Sequence, residues 1–253
     1  MLIILKIIIK FSFFQIIPIF SFSCNILTKE KLIEPIKIKT SVGLIEGRRY
    51  CINSYNNEYI PIDIFFGIPY ALPPIGKYRF EKPKSINKWK GIKLAIEPPP
   101  ACIYHSWPEG FDKKEKNYSE DCLYLNIFAP KIKNTQSFYP ILFIIHGGGF
   151  EVGSSHSYHN FEEIGKKFVS QGIIVISIHY RLGWIGFGST GDNNMPGNLG
   201  LWDMVEALKF VNKNIKYFGG DPNKITIYGY SAGGASVSIL SVSPYSNSYF
   251  LNK

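Results

Sequence analysis

From residue 122 onward the hydrophobic pattern switches repeatedly between two kinds of segment. Leu123-Tyr-Leu-Asn-Ile-Phe128 has strand composition, and Ile141-Leu-Phe-Ile-Ile145 and Ile173-Ile-Val-Ile-Ser-Ile178 are apolar runs almost without interruption. Runs this short and this rich in Ile predict strands buried on both faces. Residues 159–170 between them predict a helix. Residues 199–217 place Leu201, Val205, Leu208, Val211 and Ile215 at helical spacing, and Gly219 and Gly220 end that helix. Ile225-Thr-Ile-Tyr228 predicts a further short strand. Apolar strands alternating with helices imply an α/β fold, a mostly parallel sheet covered on both faces. In such sheets ligands bind beyond the carboxyl ends of the strands.

The first half has a different texture. Residues 36–45 and 60–66 are rich in Ile and predict an early antiparallel pair. Pro69, Pro73, Pro74, Pro83 and Pro98-Pro-Pro100 then predict irregular backbone. There is no internal repeat and no low-complexity linker. Residues 1–23 carry only Lys6 and Lys10, an apolar stretch from Phe11 to Phe22, and small residues Ser21 and Ser23 before Cys24. That pattern predicts a secretory signal peptide with the folded domain over 24–253. The lysines interrupt what would otherwise serve as a bilayer span, so no stable membrane span is expected.

Composition changes the picture in two places. The chain has 253 residues, 45% of them hydrophobic, with a formal net charge of +9. Its 28 Lys and Arg read as scattered, solvated charges without a dense run, so no nucleic-acid partner is expected. The four cysteines, Cys24, Cys51, Cys102 and Cys122, gain meaning from secretion. Cys102 and Cys122 could close a short loop in an oxidising compartment or stay as buried thiols. Asn117-Tyr-Ser119 inside that loop is an N-glycosylation sequon.

Two glycine motifs carry candidate chemistry. Gly229-Tyr-Ser-Ala-Gly233 follows a predicted strand and leads into a predicted helix, the context of a nucleophile elbow with Ser231 at its tip. His146-Gly-Gly-Gly-Phe150 ends the strand before it, and consecutive glycines expose backbone N–H groups suited to an oxyanion. No C-x-x-C or H-E-x-x-H spacing is present, so neither a metal nor an organic cofactor is expected.

With these two motifs the sequence resembles the type-B carboxylesterases, the cholinesterase-like branch of the α/β-hydrolases. The resemblance also runs through Phe66-Gly-Ile-Pro-Tyr-Ala-Leu-Pro-Pro-Ile-Gly76 with Arg79-Phe80, and through Ser119-Glu-Asp-Cys-Leu-Tyr-Leu-Asn126. Tyr180-Arg-Leu-Gly183, Gly197-Asn-Leu-Gly-Leu201 and Phe218-Gly-Gly-Asp-Pro222 complete it. The resemblance implies an α/β-hydrolase fold and a small-molecule ester substrate. It implies Ser231 as nucleophile and the N–H groups of Gly148, Gly149 and Ala232 as oxyanion-hole donors. It implies a Cys102–Cys122 disulfide and two structural ion pairs, Arg79 with Glu120 and Arg181 with Asp203. Without it, those four charges read as surface residues, whose pairing contributes about 0–1 kcal/mol. Two departures point away from choline esters and toward a general carboxylesterase. Tyr230 stands where the family often has Glu, and Trp107 lies near the start of the 102–122 loop rather than late in it.

The α/β-hydrolase order places an acid and then a histidine after the serine. All five histidines, His105, His146, His156, His159 and His179, precede Ser231. The expectation is therefore the amino-terminal part of a secreted serine carboxylesterase, stopping after the elbow, whose base and acid lie outside this chain. The last strand would then lack a neighbour on one side. The competing expectation is a non-catalytic binding or adhesion protein of the same superfamily, or an inactive short product.

Overall fold

The computed structural model describes residues 34–54, 58–104, 117–131, 138–156 and 160–249. The predicted leader, Cys24, His105, Trp107 and His159 lie outside the described residues.

The chain begins with an antiparallel meander of three strands, β1 (Glu34–Lys39), β2 (Leu44–Asn53) and β3 (Tyr59–Pro69). The predicted pair is thus a triplet. The 36–45 run is not one strand but two strand ends joined at residues 40–43. Thr40 forces the break: its N–H and its hydroxyl both donate to Gly43 O, at 2.9 and 2.8 Å. The proline-rich stretch is mostly irregular, as expected, apart from β4 (Ile92–Leu94), which pairs parallel with β2. Two short strands, β5 (Ala101–Cys102) and β6 (Tyr118–Ser119), pair beside the Cys102–Cys122 disulfide.

The second half forms its predicted strands and helices, with two differences: the strand at Tyr124–Pro130 pairs antiparallel with both neighbours, so the sheet is mixed rather than mostly parallel, and a short helix at Gly183–Phe187 is added. Its strands are β7 (Tyr124–Pro130), β8 (Tyr139–Ile145), β9 (Ile174–Ile178) and β10 (Gly220–Gly229). Its helices are α1 (Phe161–Lys167), α2 (Gly183–Phe187), α3 (Leu199–Asn214) and α4 (Ala232–Val242). The sheet runs β1-β2-β3-β7-β9-β8-β10. Strands β9, β8 and β10 are parallel, and along the rest of this order, from β1 through β7 to β9, the pairings are antiparallel. The result is a mixed α/β sheet with β10 at one edge of the described strands.

Alternation along each strand sends neighbours into two separate cores. Phe65, Ile127, Phe143 and Ile176 face one side, where Met204, Leu208 and Val211 of α3 and Leu240 of α4 close over them. Ile64, Phe128, Ile144 and Val175 face the other side, covered by Ile164 of α1 and by Val169. Helix α1 is capped by Asn160, whose side chain accepts from Glu162 N at 2.9 Å. It carries Glu162 and Glu163 in its first turn and Lys166 and Lys167 in its last, matching the helix dipole. Helix α3 tightens into a 3-10 turn at Ile215–Phe218 and ends at Gly219, whose φ of 82° lets its N–H return to the carbonyls of Ile215 and Lys216.

Cys102 and Cys122 are bonded at 2.05 Å with 20 residues of sequence separation. Closing a loop of that length contributes about 3 kcal/mol by constraining the unfolded chain. Mild reduction, or the Cys102→Ala/Cys122→Ala double variant, is therefore expected to lower stability by about 2–4 kcal/mol in urea titration. A change below about 1 kcal/mol would refute that reading. Cys51 is also disulfide-bonded.

Arg79 and Glu120 meet at 2.9 Å on a half-exposed surface, in line with a small contribution. Arg181 and Asp203 do not fit the surface expectation. Their side chains are 2% and 0% exposed, joined by two side-chain hydrogen bonds of 2.8 and 2.7 Å. Polar residues of this kind fall inside because α3 turns Asp203 toward the sheet at a position that amphipathic spacing does not mark as special. Among the described residues, no helix is long and apolar enough to cross a membrane.

Candidate active site

The two glycine motifs start at the same level of the sheet. Strands β8 and β10 are parallel neighbours, and Ile145 pairs with Gly229. His146-Gly-Gly-Gly and Tyr230-Ser231 therefore leave the carboxyl edge side by side, 84 residues apart in the chain as counted between the paired residues. A Cβ placed on Gly147 would sit 3.1 Å from Ser231 Cβ and 2.6 Å from Tyr230 O, which fixes how tightly the segments abut.

The turn that exposes Ser231 has a steric cause. Gly229 and Gly233 lie against each other, and a Cβ on Gly233 would meet Ile145 O at 2.2 Å. Only hydrogen allows α4 to begin this close to β8. The reversal drives Ser231 to φ 52° and ψ −127°, outside the regions that L-residues prefer. Gly233 N donates to Tyr230 O at 2.9 Å and Ala235 N to Ser231 O at 3.0 Å, locking the turn. Ser231 itself is exposed, whereas Ala232 and Gly233 are buried.

The facing loop is also held in positive φ. Gly148 (φ 118°), Gly149 (φ 65°) and Phe150 (φ 64°) follow one another. Gly148 O accepts from Glu151 N and Val152 N, both at 3.0 Å, and a Cβ on Gly148 would meet Val152 O at 2.1 Å. Gly149 faces open space. The glycines here serve geometry in both of the abutting segments.

Buried polar groups clamp the loop at its two ends. At its start, the His146 ring stacks on Tyr180 with centroids 4.3 Å apart, and Tyr180 OH donates to His146 O at 2.8 Å. At its end, Ser155 Oγ lies 2.8 Å from Asn126 Nδ2 and 3.0 Å from His179 Nε2. Asn126 also accepts from Gly67 N at 3.0 Å, tying β3 to the same network. An amide inside an otherwise apolar strand is the signal that could have marked Asn126. The clamping roles of Tyr180, Ser155 and His179 left no sequence signal.

None of the described histidines forms a hydrogen bond with Ser231. His146 Nδ1 lies 2.8 Å from Gly147 O, and its buried Nε2 has no partner among the described residues. Burial lowers its pKa to about 4, and burial likewise holds His179 well below the usual histidine value. In the unfolded chain both titrate near their ordinary value of about 6.5. Between about pH 6.5 and 4 the unfolded state therefore binds protons that the folded state refuses, and stability falls as pH falls. For His146 alone the loss approaches about 3 kcal/mol at the acid end of that window. Thermal melts between pH 7 and 4 check this, and a transition temperature that does not drop would refute it.

A family model, the carboxylesterase family, matches residues 34–253. This chain belongs to the carboxylesterase family. Gut esterase 1 of Caenorhabditis briggsae is 42% identical over 214 residues, covering 84% of this chain and 35% of that protein. Liver carboxylesterase 1 of Oryctolagus cuniculus is 41% identical over 225 residues, covering 85% of this chain and 39% of that protein. Among solved structures, juvenile hormone esterase from Manduca sexta with OTFP covalently attached aligns with a TM-score of 0.76 at 35% identity. That alignment covers 86% of this chain and 40% of the other. This carboxylesterase-family chain thus spans between about a third and two fifths of the length of these relatives.

Within this member of the carboxylesterase family, the α/β-hydrolase fold brings Ser231, Ala232, Gly148 and Gly149 to one edge of the sheet. The Cys102–Cys122 bond and both ion pairs lie away from Ser231 in the sequence but near one another in space. Cys102, Cys122, Glu120 and Arg181 line one small pocket.

Proposed function

We propose that this chain carries the nucleophile and oxyanion hole of a serine carboxylesterase that hydrolyses carboxylic esters through an acyl-enzyme. The observation that carries the proposal is the abutment of Gly147 and Ser231 at the carboxyl edge of β8 and β10, with Ser231 exposed in strained backbone. Ser231 Oγ attacks the ester carbonyl. The N–H groups of Gly148, Gly149 and Ala232 receive the negative charge that develops on oxygen, and losing one such donor typically costs about 10²–10³ in rate. The alcohol leaves, and water then cleaves the acyl group from Ser231. A serine hydroxyl needs a neighbouring base. A histidine and an acid from outside the described residues carry the proton transfers. No metal or organic cofactor enters these steps.

A secretory-pathway location belongs to the same proposal. It is supported by the leader-like pattern of residues 1–23 and by disulfides suited to an oxidising compartment. Asn117 is exposed beside β6, which supports its use as a glycan acceptor.

A fluorophosphonate probe followed by peptide mass spectrometry tests the nucleophile. The expected adduct is on the peptide containing Ser231. Complete enzyme, folded and carrying its base, that stays unlabelled would overturn the catalytic reading in favour of a non-catalytic binding or adhesion protein.

A further inference from the structure

The cations are less evenly spread than the sequence first implied. Residues 77–93 contain six lysines and one arginine against a single acid, Glu81, so this stretch holds six units of the net charge of +9. Lys77, Lys82, Lys84, Lys88 and Lys90 are all exposed. None of them forms an ion pair with a described carboxylate.

Residues 72–85 form a loop closed at its base. Leu72 N donates to Lys84 O at 2.8 Å, and Ala71 bridges Ser85. Arg181 ties the loop to the sheet by donating from Nη1 to Arg79 O and Glu81 O, at 3.1 and 2.8 Å. Aromatic rings set the ammonium positions. Lys77 and Lys84 lie 5.1 and 4.5 Å from the centre of the Tyr78 ring. Lys82 lies 3.8 Å from the Trp202 ring of α3, and Tyr245 packs 4.8 Å from Trp202. Large apolar side chains stand exposed among these cations: Ile75 at 49%, Phe80 at 41% and Tyr245 at 61%. The nearby acids are mostly committed, Glu120 to Arg79 and Glu206 to Ser85 and Lys209.

We propose that this loop, with Trp202 and Tyr245 beside it, is a docking surface for a membrane leaflet rich in anionic phospholipid. Lysines near such a leaflet are attracted by its surface potential. Exposed Phe, Ile and Tyr suit the boundary between headgroups and acyl chains. A soluble polyanion would use the lysines but gives Phe80 and Ile75 nothing to bury against. The binding needs no transmembrane segment and does not depend on Ser231.

Co-sedimentation of the purified protein with vesicles tests the proposal. Vesicles of phosphatidylcholine and phosphatidylserine are expected to carry the protein down at low salt, and vesicles of phosphatidylcholine alone are not. High salt should release it. The Lys77→Gln/Lys82→Gln/Lys84→Gln variant should bind about 100-fold more weakly, while the matching Lys→Arg triple variant should bind as wild type does. Phe80→Ala should weaken vesicle binding and leave any retention on heparin unchanged. Equal sedimentation with both vesicle types would overturn the proposal. So would binding that survives in a folded glutamine variant, or heparin retention without vesicle binding.

Discussion

Ser231→Ala is expected to abolish ester hydrolysis, lowering kcat/KM by at least about 10⁴-fold in the complete enzyme. Removing Oγ removes the atom that would form the acyl-enzyme, and no other described hydroxyl shares its position against Gly147. The same site makes an opposite prediction for stability. Ser231 sits at φ 52° and ψ −127°. Backbone held in such a sparsely populated region costs about 1–3 kcal/mol in a residue with a Cβ. Ser231→Gly is therefore expected to be as inactive as Ser231→Ala yet about 1 kcal/mol more stable than it. Steady-state assay with a chromogenic ester and urea unfolding check the two halves separately. Residual turnover in Ser231→Ala would remove the nucleophile assignment. A glycine variant that unfolds before the alanine variant would remove the strain argument and leave the chemistry standing.

The largest expected effect on folding comes from Asp203→Ala. Asp203 is fully buried and accepts three hydrogen bonds from Arg181, two from the guanidinium and one from the backbone N–H at 3.0 Å. Removing the carboxylate strands a cation in the protein interior, which costs about 3–5 kcal/mol. Domains of this kind have total stabilities of about 5–15 kcal/mol, so a large share of the fold's margin goes with it. The damage should also spread. Arg181 follows Tyr180, which clamps His146 at the start of the glycine segment, and it ties down residues 79 and 81. Slower fluorophosphonate labelling of Ser231 is expected even where the variant still folds. Arg181→Met/Asp203→Leu, which removes both charges, should cost less than Asp203→Ala alone. Urea titration of the three proteins checks the order. A loss under about 1 kcal/mol for Asp203→Ala, or a double variant worse than the single, would overturn it.

These two positions differ in how far the sequence reveals them. The tight turn at Ser231 was legible because such a turn demands local geometry: glycines two residues away on either side, a strand before and a helix after. The apolar runs at 141–145 and 173–178 were legible for the same reason, since burial on both faces leaves an unbroken signal. The 36–45 run misled because β-branched residues on both sides of a turn look like one strand. Thr40 and Gly43 close that turn through hydrogen bonds that composition does not display. Arg181 and Asp203 were recognisable as a pair only through the family resemblance. Their burial was not, because it depends on two segments 22 residues apart meeting in space.

By itself, then, the sequence determined the α/β class, the places of the buried strands at 141–145 and 173–178, and the serine at the tip of the glycine-flanked turn. Each rests on local spacing, and local spacing is written in the chain. Tertiary structure alone decided that Ile145 pairs with Gly229, that Gly147 abuts Ser231, that Arg181 and Asp203 are interior, and that the lysines at 77, 82 and 84 are set against aromatic rings. Those are contacts between distant segments, fixed by which strands pair and which helix faces close over them.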